Sequence, residues 1–266
     1  MAQKNVTIPL NQNTILVVAL VVMAFFAGFL LNKNKALEEK AKTAGTAQQQ
    51  QQEPPAAPIS AEKVNKLFGK GYITFGDKDA KVKFVEVSDP SCPYCHVAAG
   101  KNPELAGSVG PQFKYESDGG TYVPPVTEMR KLVEDGKAAF TTIYANGHGA
   151  GELAMQALYC AHDDGNFWDA HDMLMTNAGY ELINNVVKND VANIGKLVEF
   201  LGDKVNAANV TKCLTDKKHA ARLATEQQVA MDLGFQGTPY FIVNTTPFAG
   251  AYSYTDIKPT VDGLLK

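Results

Sequence analysis

Two cysteines separated by only two residues, Cys92 and Cys95, lie where a strand pattern gives way to a helix pattern. Residues 81–87 alternate between polar and apolar side chains and are rich in β-branched residues, which predicts a strand. A helix is expected to begin at the first cysteine, because Pro93 suits an early helical position, where its missing N–H costs nothing. A close pair at such a junction is a reversible redox couple, half of a metal site or the anchor of a covalent haem.

The rest of the pattern predicts one α/β domain that begins near residue 59 and contains a helical insertion. Strands are predicted at 81–87, 138–144 and 239–244, and helices at 60–68, 126–135, 151–162, 167–176, 191–201, 217–233 and 255–265. The insertion covers approximately residues 146–234, between the second and third strands. Residues 100–125 are rich in Gly, Pro and Ser and are expected to form an irregular surface insertion.

The first 58 residues differ in composition from the domain. A short segment, 1–14, precedes an uncharged apolar run at 15–31, which as a helix would reach about 25 Å. We expect an uncleaved transmembrane anchor. A cleaved signal peptide is the alternative, but no A-x-A site directly follows the run. A buried core helix fits less well, because the run is apolar on every side. Residues 32–58 are polar and rich in Gln and Pro, which predicts a linker.

Charge gives a conflicting indication of membrane orientation. One lysine precedes the apolar run and four follow it: Lys4, then Lys33, Lys35, Lys40 and Lys42. The positive-inside rule would place the carboxyl-terminal side in the cytoplasm, although long domains can be exported despite nearby charge. Because the redox chemistry suits an oxidising compartment, we expect the domain outside the cytoplasm. The net charge of −3 is mixed along the chain, which makes nucleic acid an unlikely partner.

The chemistry of the cysteine pair favours redox exchange. At a helix N-terminus, unpaired N–H groups and the dipole stabilise a thiolate, so Cys92 is expected to be the outer nucleophile. Cys95, one turn further, is expected to be more buried and to resolve the mixed disulfide. Zinc would need two more ligands, and the other cysteines are isolated. His96 completes the haem-attachment motif C-x-x-C-H, but a strand directly before it argues against a largely helical haem domain.

Two segments together carry a family resemblance. VKFVEVSDPSCPYCH, followed near the end by GTPYFIVN, resembles the DsbA-like branch of the thioredoxin superfamily, in its membrane-anchored form with an inserted helical domain. The resemblance covers most of 72–266, and GNFWDAHDML and VTKCL resemble the insertion. It implies a thioredoxin-like fold in which Cys92 attacks and Cys95 resolves, with Pro93 and Tyr94 as the dipeptide between them.

The resemblance also implies roles for residues away from the pair. Glu86 matches the family's buried acid, and Thr238 and Pro239 match a loop whose proline is cis and faces the disulfide. Alternation along the strand leaves open whether Glu86 faces the interior or solvent. His96 could stabilise the Cys92 thiolate, but we favour a solvated helix residue. The remaining histidines show no ligand spacing and are expected at the surface or on helices: His148, His162, His171 and His219.

The other two cysteines, Cys160 and Cys213, fall on helices of the insertion. Four cysteines allow three connectivities. We expect Cys160 and Cys213 to form a second, structural disulfide, which an oxidising compartment favours. The alternative is a pair of buried free thiols that act as small hydrophobes.

These expectations define a function. We expect a monomeric thiol–disulfide oxidoreductase outside the cytoplasm that introduces disulfides into exported proteins, without metal or cofactor. A membrane redox partner would recycle it. Three alternatives stay open: a disulfide reductase or isomerase with the same fold, a c-type haem electron-transfer protein, and a tethered peptide-binding module without catalysis.

Overall fold

A computed structural model describes residues 59–69 and 71–266. The predicted segments 1–14, 15–31 and 32–58 lie outside the described residues. Within the described part, no helix is both long and apolar enough to cross a bilayer.

The centre of the domain is a mixed sheet. Its strands are β1 (Ile73–Gly76), β2 (Val82–Ser88), β3 (Ala138–Tyr144), β4 (Tyr240–Val243) and β5 (Thr246–Ala249), in the order β1-β3-β2-β4-β5. β2 and β3 are parallel, and every other pair is antiparallel. β2 and β4 are antiparallel neighbours, so the end of β2 lies beside the start of β4. The segment after β2 therefore comes close to the segment before β4.

Helices surround this sheet and fill the connection between β3 and β4. They are α1 (Ala61–Lys66), α2 (Pro93–Ala99), α3 (Pro103–Val109), α4 (Pro125–Glu134), α5 (Glu152–Asp163), α6 (Phe167–Leu174), α7 (Asn177–Glu181), α8 (Ile194–Leu201), α9 (Ala207–Thr215), α10 (Ala220–Asp232) and α11 (Tyr254–Leu265). A π-helical segment, Leu182–Val187, follows α7. The α/β thioredoxin-like fold predicted from the sequence is confirmed, with helices from α5 to α10 between β3 and β4.

Both faces of β2 are covered, which explains its run of apolar residues. Val85 and Val87 pack in one core cluster with residues of α1 and α10. Phe84 packs in another with residues of α2, α4 and α11. Because side chains alternate along a strand, Glu86 lies on the same face of the sheet as Phe84, the face that α2 covers.

The segment 100–125, expected to be irregular, contains ordered structure. Its helix α3 is capped by Asn102, whose side chain accepts a hydrogen bond from the backbone N–H of Leu105 at 3.0 Å. Tyr115 is buried, and its hydroxyl lies 3.2 Å from the carbonyl oxygen of Val97 at the end of α2. The segment therefore packs onto α2, and its tyrosine adds a second donor to a carbonyl that already accepts from the N–H of Gly100 at 3.2 Å.

Candidate redox site

The turn between β2 and α2 places both cysteines. The N–H of Cys92 donates to the carbonyl of Asp89 at 2.9 Å, and the N–H of Cys95 donates to the carbonyl of Cys92 at 3.1 Å. Cys92 is extended and caps the helix, while Pro93 is its first residue. The cysteine side chains therefore follow directly from a strand end, a tight turn and a proline-started helix.

The two thiols have different partners. The Cys92 thiol donates to the backbone carbonyl of Thr238 at 3.2 Å, and the bond from Thr238 to Pro239 is cis. The Cys95 Sγ accepts from the N–H of Asp89 at 3.5 Å. Both cysteines are fully buried and not bonded to each other. Neither thiol presents measurable surface to solvent, and the Thr238 loop lies directly against Cys92. That Cys92 is the outer thiol stays a prediction.

Acidity, rather than exposure, distinguishes the pair. A hydrogen bond from the Cys95 thiol lowers the pKa of Cys92 to about 6, against the opposing effect of burial. A hydrogen bond from the side chain of Thr238 and, as the smallest contribution, the charge of His148 act in the same direction. Burial raises the pKa of Cys95 well above its ordinary value. Cys92 is thus the thiolate at neutral pH, and Cys95 stays protonated beneath it.

Asp89 is a site residue that the sequence analysis missed. Its buried carboxylate accepts bonds from the N–H and hydroxyl of Ser91 at 2.8 and 2.7 Å. It also accepts from the N–H groups of Gly147 and His148, both at 2.8 Å. A Cβ on Gly147 would lie 2.1 Å from the Thr238 Oγ1, so glycine allows this close approach. Asp89 therefore joins the turn before Cys92 to the loop after β3.

Glu86 lies inside the protein, with 3% of its surface exposed. Burial raises the pKa of its carboxyl group, and its charge in turn raises the pKa of Cys95. The structure therefore places Glu86 on the buried side that the sequence left open. A proton-transfer role beside Cys95 stays a prediction.

His96 is not the solvated residue that we expected. It is fully buried, with Nδ1 at 3.0 Å from the carbonyl oxygen of Met175 and Nε2 at 2.9 Å from that of Pro90. Burial lowers the pKa of His96 to about 4, so the ring carries no charge for Cys92 at neutral pH. The neutral ring has one N–H and donates to one of these carbonyls, but a carbonyl oxygen lies within 3.0 Å of each ring nitrogen, so the ring does not fit the role of a haem ligand.

Tyr94 is the exposed member of the motif, with 38% of its surface accessible. Its ring centroid lies 5.4 Å from that of Phe113, which in turn lies 5.6 Å from that of Tyr122. The charge of Cys95 contributes to the raised pKa of Tyr122, after the larger effect of burial. Aromatic side chains of the segment 100–125 therefore pack beside the cysteine pair.

Cys160 in α5 and Cys213 in α9 form a disulfide, with their Cα atoms 6.0 Å apart. It joins two helices of the insertion that lie adjacent in the fold. Cys160 is buried and Cys213 is half-buried.

A mixed sheet with two cysteines of opposite pKa shift at a helix start, facing a cis-proline loop, defines a thioredoxin-type dithiol protein. The family model described as "Thioredoxin" matches residues 127–263, and the chain belongs to this family. The matched range includes Pro239 and begins after Cys95.

Solved structures share the fold. BdbD from Bacillus subtilis in its oxidised form is 18% identical, with a TM-score of 0.53 over 79% of this chain and 97% of that chain. The α-DsbA1 of Wolbachia pipientis is 15% identical, with a TM-score of 0.57 over 76% of this chain and 96% of that chain. At these identities the likeness shows the fold alone.

Curated relatives are also distant. A putative protein-disulfide oxidoreductase of Rickettsia bellii is 23% identical over 205 residues, 77% of this chain and 68% of that protein. The Na⁺/H⁺ antiporter NhaA 1 of Salinispora arenicola is 25% identical over 194 residues, 70% of this chain. The match spans 24% of the antiporter's length.

Proposed function

We propose that the protein is a thiol–disulfide oxidoreductase that introduces disulfides into cysteine-containing proteins through Cys92 and Cys95. The observation that carries this proposal is the opposite pKa shift of the two thiols, at about 6 for Cys92 and well above the ordinary value for Cys95. The name of the Rickettsia bellii relative, a putative protein-disulfide oxidoreductase, agrees with it.

The reaction begins with the Cys92–Cys95 pair oxidised. A substrate thiolate attacks the Cys92 sulfur, the bond to Cys95 breaks, and Cys95 leaves as a thiolate that takes up a proton. A second substrate thiolate then attacks the substrate sulfur of the mixed disulfide, and Cys92 leaves as a thiolate. The substrate loses two electrons and gains a disulfide, while the enzyme pair is reduced. A thiolate whose thiol has a low pKa is a good leaving group, so the low pKa of Cys92 favours this direction.

The direction of this effect supports an oxidase. At pH 7, a thiol with a pKa of about 6 is about nine-tenths ionised. Ionisation stabilises the reduced form by about 1.4 kcal/mol relative to a thiol of ordinary pKa, which for two electrons corresponds to about 30 mV. Stabilising the reduced form makes the disulfide a stronger oxidant.

The deciding experiment measures the reduction potential of the Cys92–Cys95 couple in glutathione buffers, using the full chain. A potential closer to about −120 mV than to about −270 mV supports the oxidase. A potential near the lower value would favour the reductase or isomerase alternative. Oxidation of a reduced two-cysteine peptide gives a second measure. Cys92→Ser should abolish turnover, and full activity of that variant would end the proposal.

Two alternatives have distinct results in the same experiments. A binding module without catalysis would bind the peptide equally well after both cysteines are replaced, and would show no turnover before replacement. A c-type haem protein would give a Soret band in the purified chain. The engaged ring nitrogens of His96 weigh against this alternative.

The proposed location is outside the cytoplasm, with the apolar run 15–31 as the membrane anchor and 32–58 as a tether. The length of the run and the disulfide between Cys160 and Cys213 support it. A membrane redox partner would reoxidise the monomeric enzyme and return its cysteines to the disulfide. Protease added to intact cells, or to spheroplasts if an outer envelope blocks access, should digest the domain. Protection until the membrane is dissolved would reverse the orientation.

A further inference from the structure

A second group of reactive side chains lies in the helical insertion, and the proposed oxidation does not use it. Ligand atoms of Cys160, Cys213 and His219 all lie within 4.8 Å of one another. The two sulfurs are bonded as a disulfide in this structure, and His219 stands at the start of α10. Two sulfurs and an imidazole form a donor set that Zn²⁺ prefers.

The backbone spacing suits a metal once the disulfide is open. The Cα atoms of Cys160 and Cys213 are 6.0 Å apart. In a tetrahedral zinc site with Zn–S distances of about 2.3 Å, two sulfurs lie about 3.8 Å apart. Rotation of the two side chains can provide that separation, because each sulfur needs to move by only about 1 Å.

The histidine is already oriented by a carboxylate. The Nε2 atom of His219 lies 2.7 Å from the Oδ2 atom of Asp163, which also accepts from Lys218 at 2.8 Å. A neutral imidazole that donates through Nε2–H keeps its lone pair on Nδ1. A carboxylate bonded to the far nitrogen of the ring is the usual support of a metal-binding histidine. The ring is also largely fixed, with 13% of its side chain exposed.

An open cavity of about 450 Å³ is lined by Cys160 and Cys213, and His219 lines a neighbouring open cavity that shares Asp163 with it. The wall of the first cavity contains more carboxylates than ammonium groups: Asp163, Asp164 and Asp216 against Lys212 and Lys218. A cation can therefore enter from solvent, and a water molecule or a carboxylate can complete its coordination.

We propose that Cys160, Cys213 and His219 bind a thiophilic divalent cation, with Zn²⁺ as the expected ion, only while the disulfide between the cysteines is open. Every newly made chain begins in this dithiol state. A dithiol reductant can restore it: the S–S bond accepts two electrons and two protons, and the reductant closes to its own disulfide. Cation binding releases the thiol protons to solvent. Closure of the disulfide removes both thiolates and excludes the cation.

The test uses the full chain with Cys92→Ser and Cys95→Ser, so that the redox pair cannot bind the metal. After reduction with a phosphine, Co²⁺ should produce a thiolate-to-cobalt charge-transfer band that excess Zn²⁺ removes. The oxidised chain should show no band. His219→Ala should weaken Co²⁺ binding roughly tenfold or more, and Asp163→Asn should weaken it by a similar factor. His162→Ala is the matched control and should leave the affinity unchanged.

A reduced chain without the band, or a His219→Ala variant that binds as tightly as its parent, would overturn the proposal. If reduction destabilises the chain without unfolding it at low temperature, thermal unfolding gives a second readout. Zn²⁺ should then raise the melting temperature of the reduced chain and leave that of the oxidised chain unchanged, and an equal response of both would overturn the proposal. Because the redox pair is absent, these results do not depend on the proposed oxidase activity.

Discussion

The buried carboxylate of Asp89 accepts a hydrogen bond from the backbone N–H of His148 at 2.8 Å, across a sequence separation of 59 residues. Asp89 stands three residues before Cys92, and the charge of His148 lowers the pKa of Cys92. This bond therefore holds the loop after β3 against the turn that carries Cys92.

Asp89→Asn should destabilise the protein by about 2 to 3 kcal/mol. The amide would turn an N–H₂ group toward backbone N–H donors, and at least one buried donor would lose its charged acceptor. Urea unfolding measures the loss, with the exposed Asp203→Asn variant as a control that should stay within about 0.5 kcal/mol. An unchanged unfolding midpoint for Asp89→Asn would contradict the role that we assign to this carboxylate.

Glu86→Gln should remove a pH dependence of stability. Because burial raises the folded-state pKa of Glu86 above its ordinary value of 4.5, the folded chain binds more protons than the unfolded chain as the pH rises from 4.5 toward the folded-state pKa. Parent stability should therefore fall as pH rises from about 4.5 through the folded pKa, and glutamine should not show this fall. At pH 7 the variant should be the more stable protein.

Urea unfolding at several pH values measures this difference, with the exposed Glu116→Gln as control. A Glu86→Gln variant with the same pH slope as its parent would contradict a raised pKa. The variant should also lower the pKa of Cys95, because it removes a charge that raises it. A slower release of mixed disulfide, measured by acid quench and mass spectrometry, is expected if Glu86 moves a proton to Cys95.

Local pattern predicted the central elements of the fold well. β2 and β3 are rich in β-branched and aromatic residues, and α2 starts at a proline after a turn, so each has a strong local signal. The edge strands β1 and β5 were missed. Each has four residues, too few for a periodic signal, and Pro247 within β5 argues against a strand unless it lies at an edge.

The motif identified the cysteine pair and Pro239, but tertiary contacts decide their surroundings. Asp89 has its partners on a loop nearly sixty residues away, and His96 is buried against the carbonyl of Met175. Neither contact can be predicted from the spacing of residues in the sequence. The cover over Cys92 likewise comes from Thr238, which the fold brings beside it from 146 residues away.

Cys95→Ala should raise the pKa of Cys92 from about 6 toward its ordinary value. The hydrogen bond from Cys95 is the largest cause of the low pKa, and alanine removes it. The ultraviolet absorbance of the thiolate, followed against pH in the reduced chain, measures this shift. Tyr94→Phe is the control, because it keeps the aromatic contact with Phe113 and leaves both thiols in place. If Cys92 still titrates near 6 in the Cys95→Ala variant, its low pKa has another cause.

Replacing Cys160 and Cys213 together by alanine should destabilise the oxidised protein by about 4 kcal/mol, because a closed loop with a sequence separation of 53 restricts the unfolded chain. Turnover at Cys92 should persist, since neither residue contacts the redox pair. Urea unfolding with and without a reductant gives the measurement. Because reductant also opens the Cys92–Cys95 pair in both proteins, the comparison is the difference in stability between them, which should be about 4 kcal/mol without reductant and close to zero with it. Equal stability of the double variant and the oxidised parent would mean that this disulfide adds nothing to stability and leaves the packing of α5 against α9 to hold the two helices together.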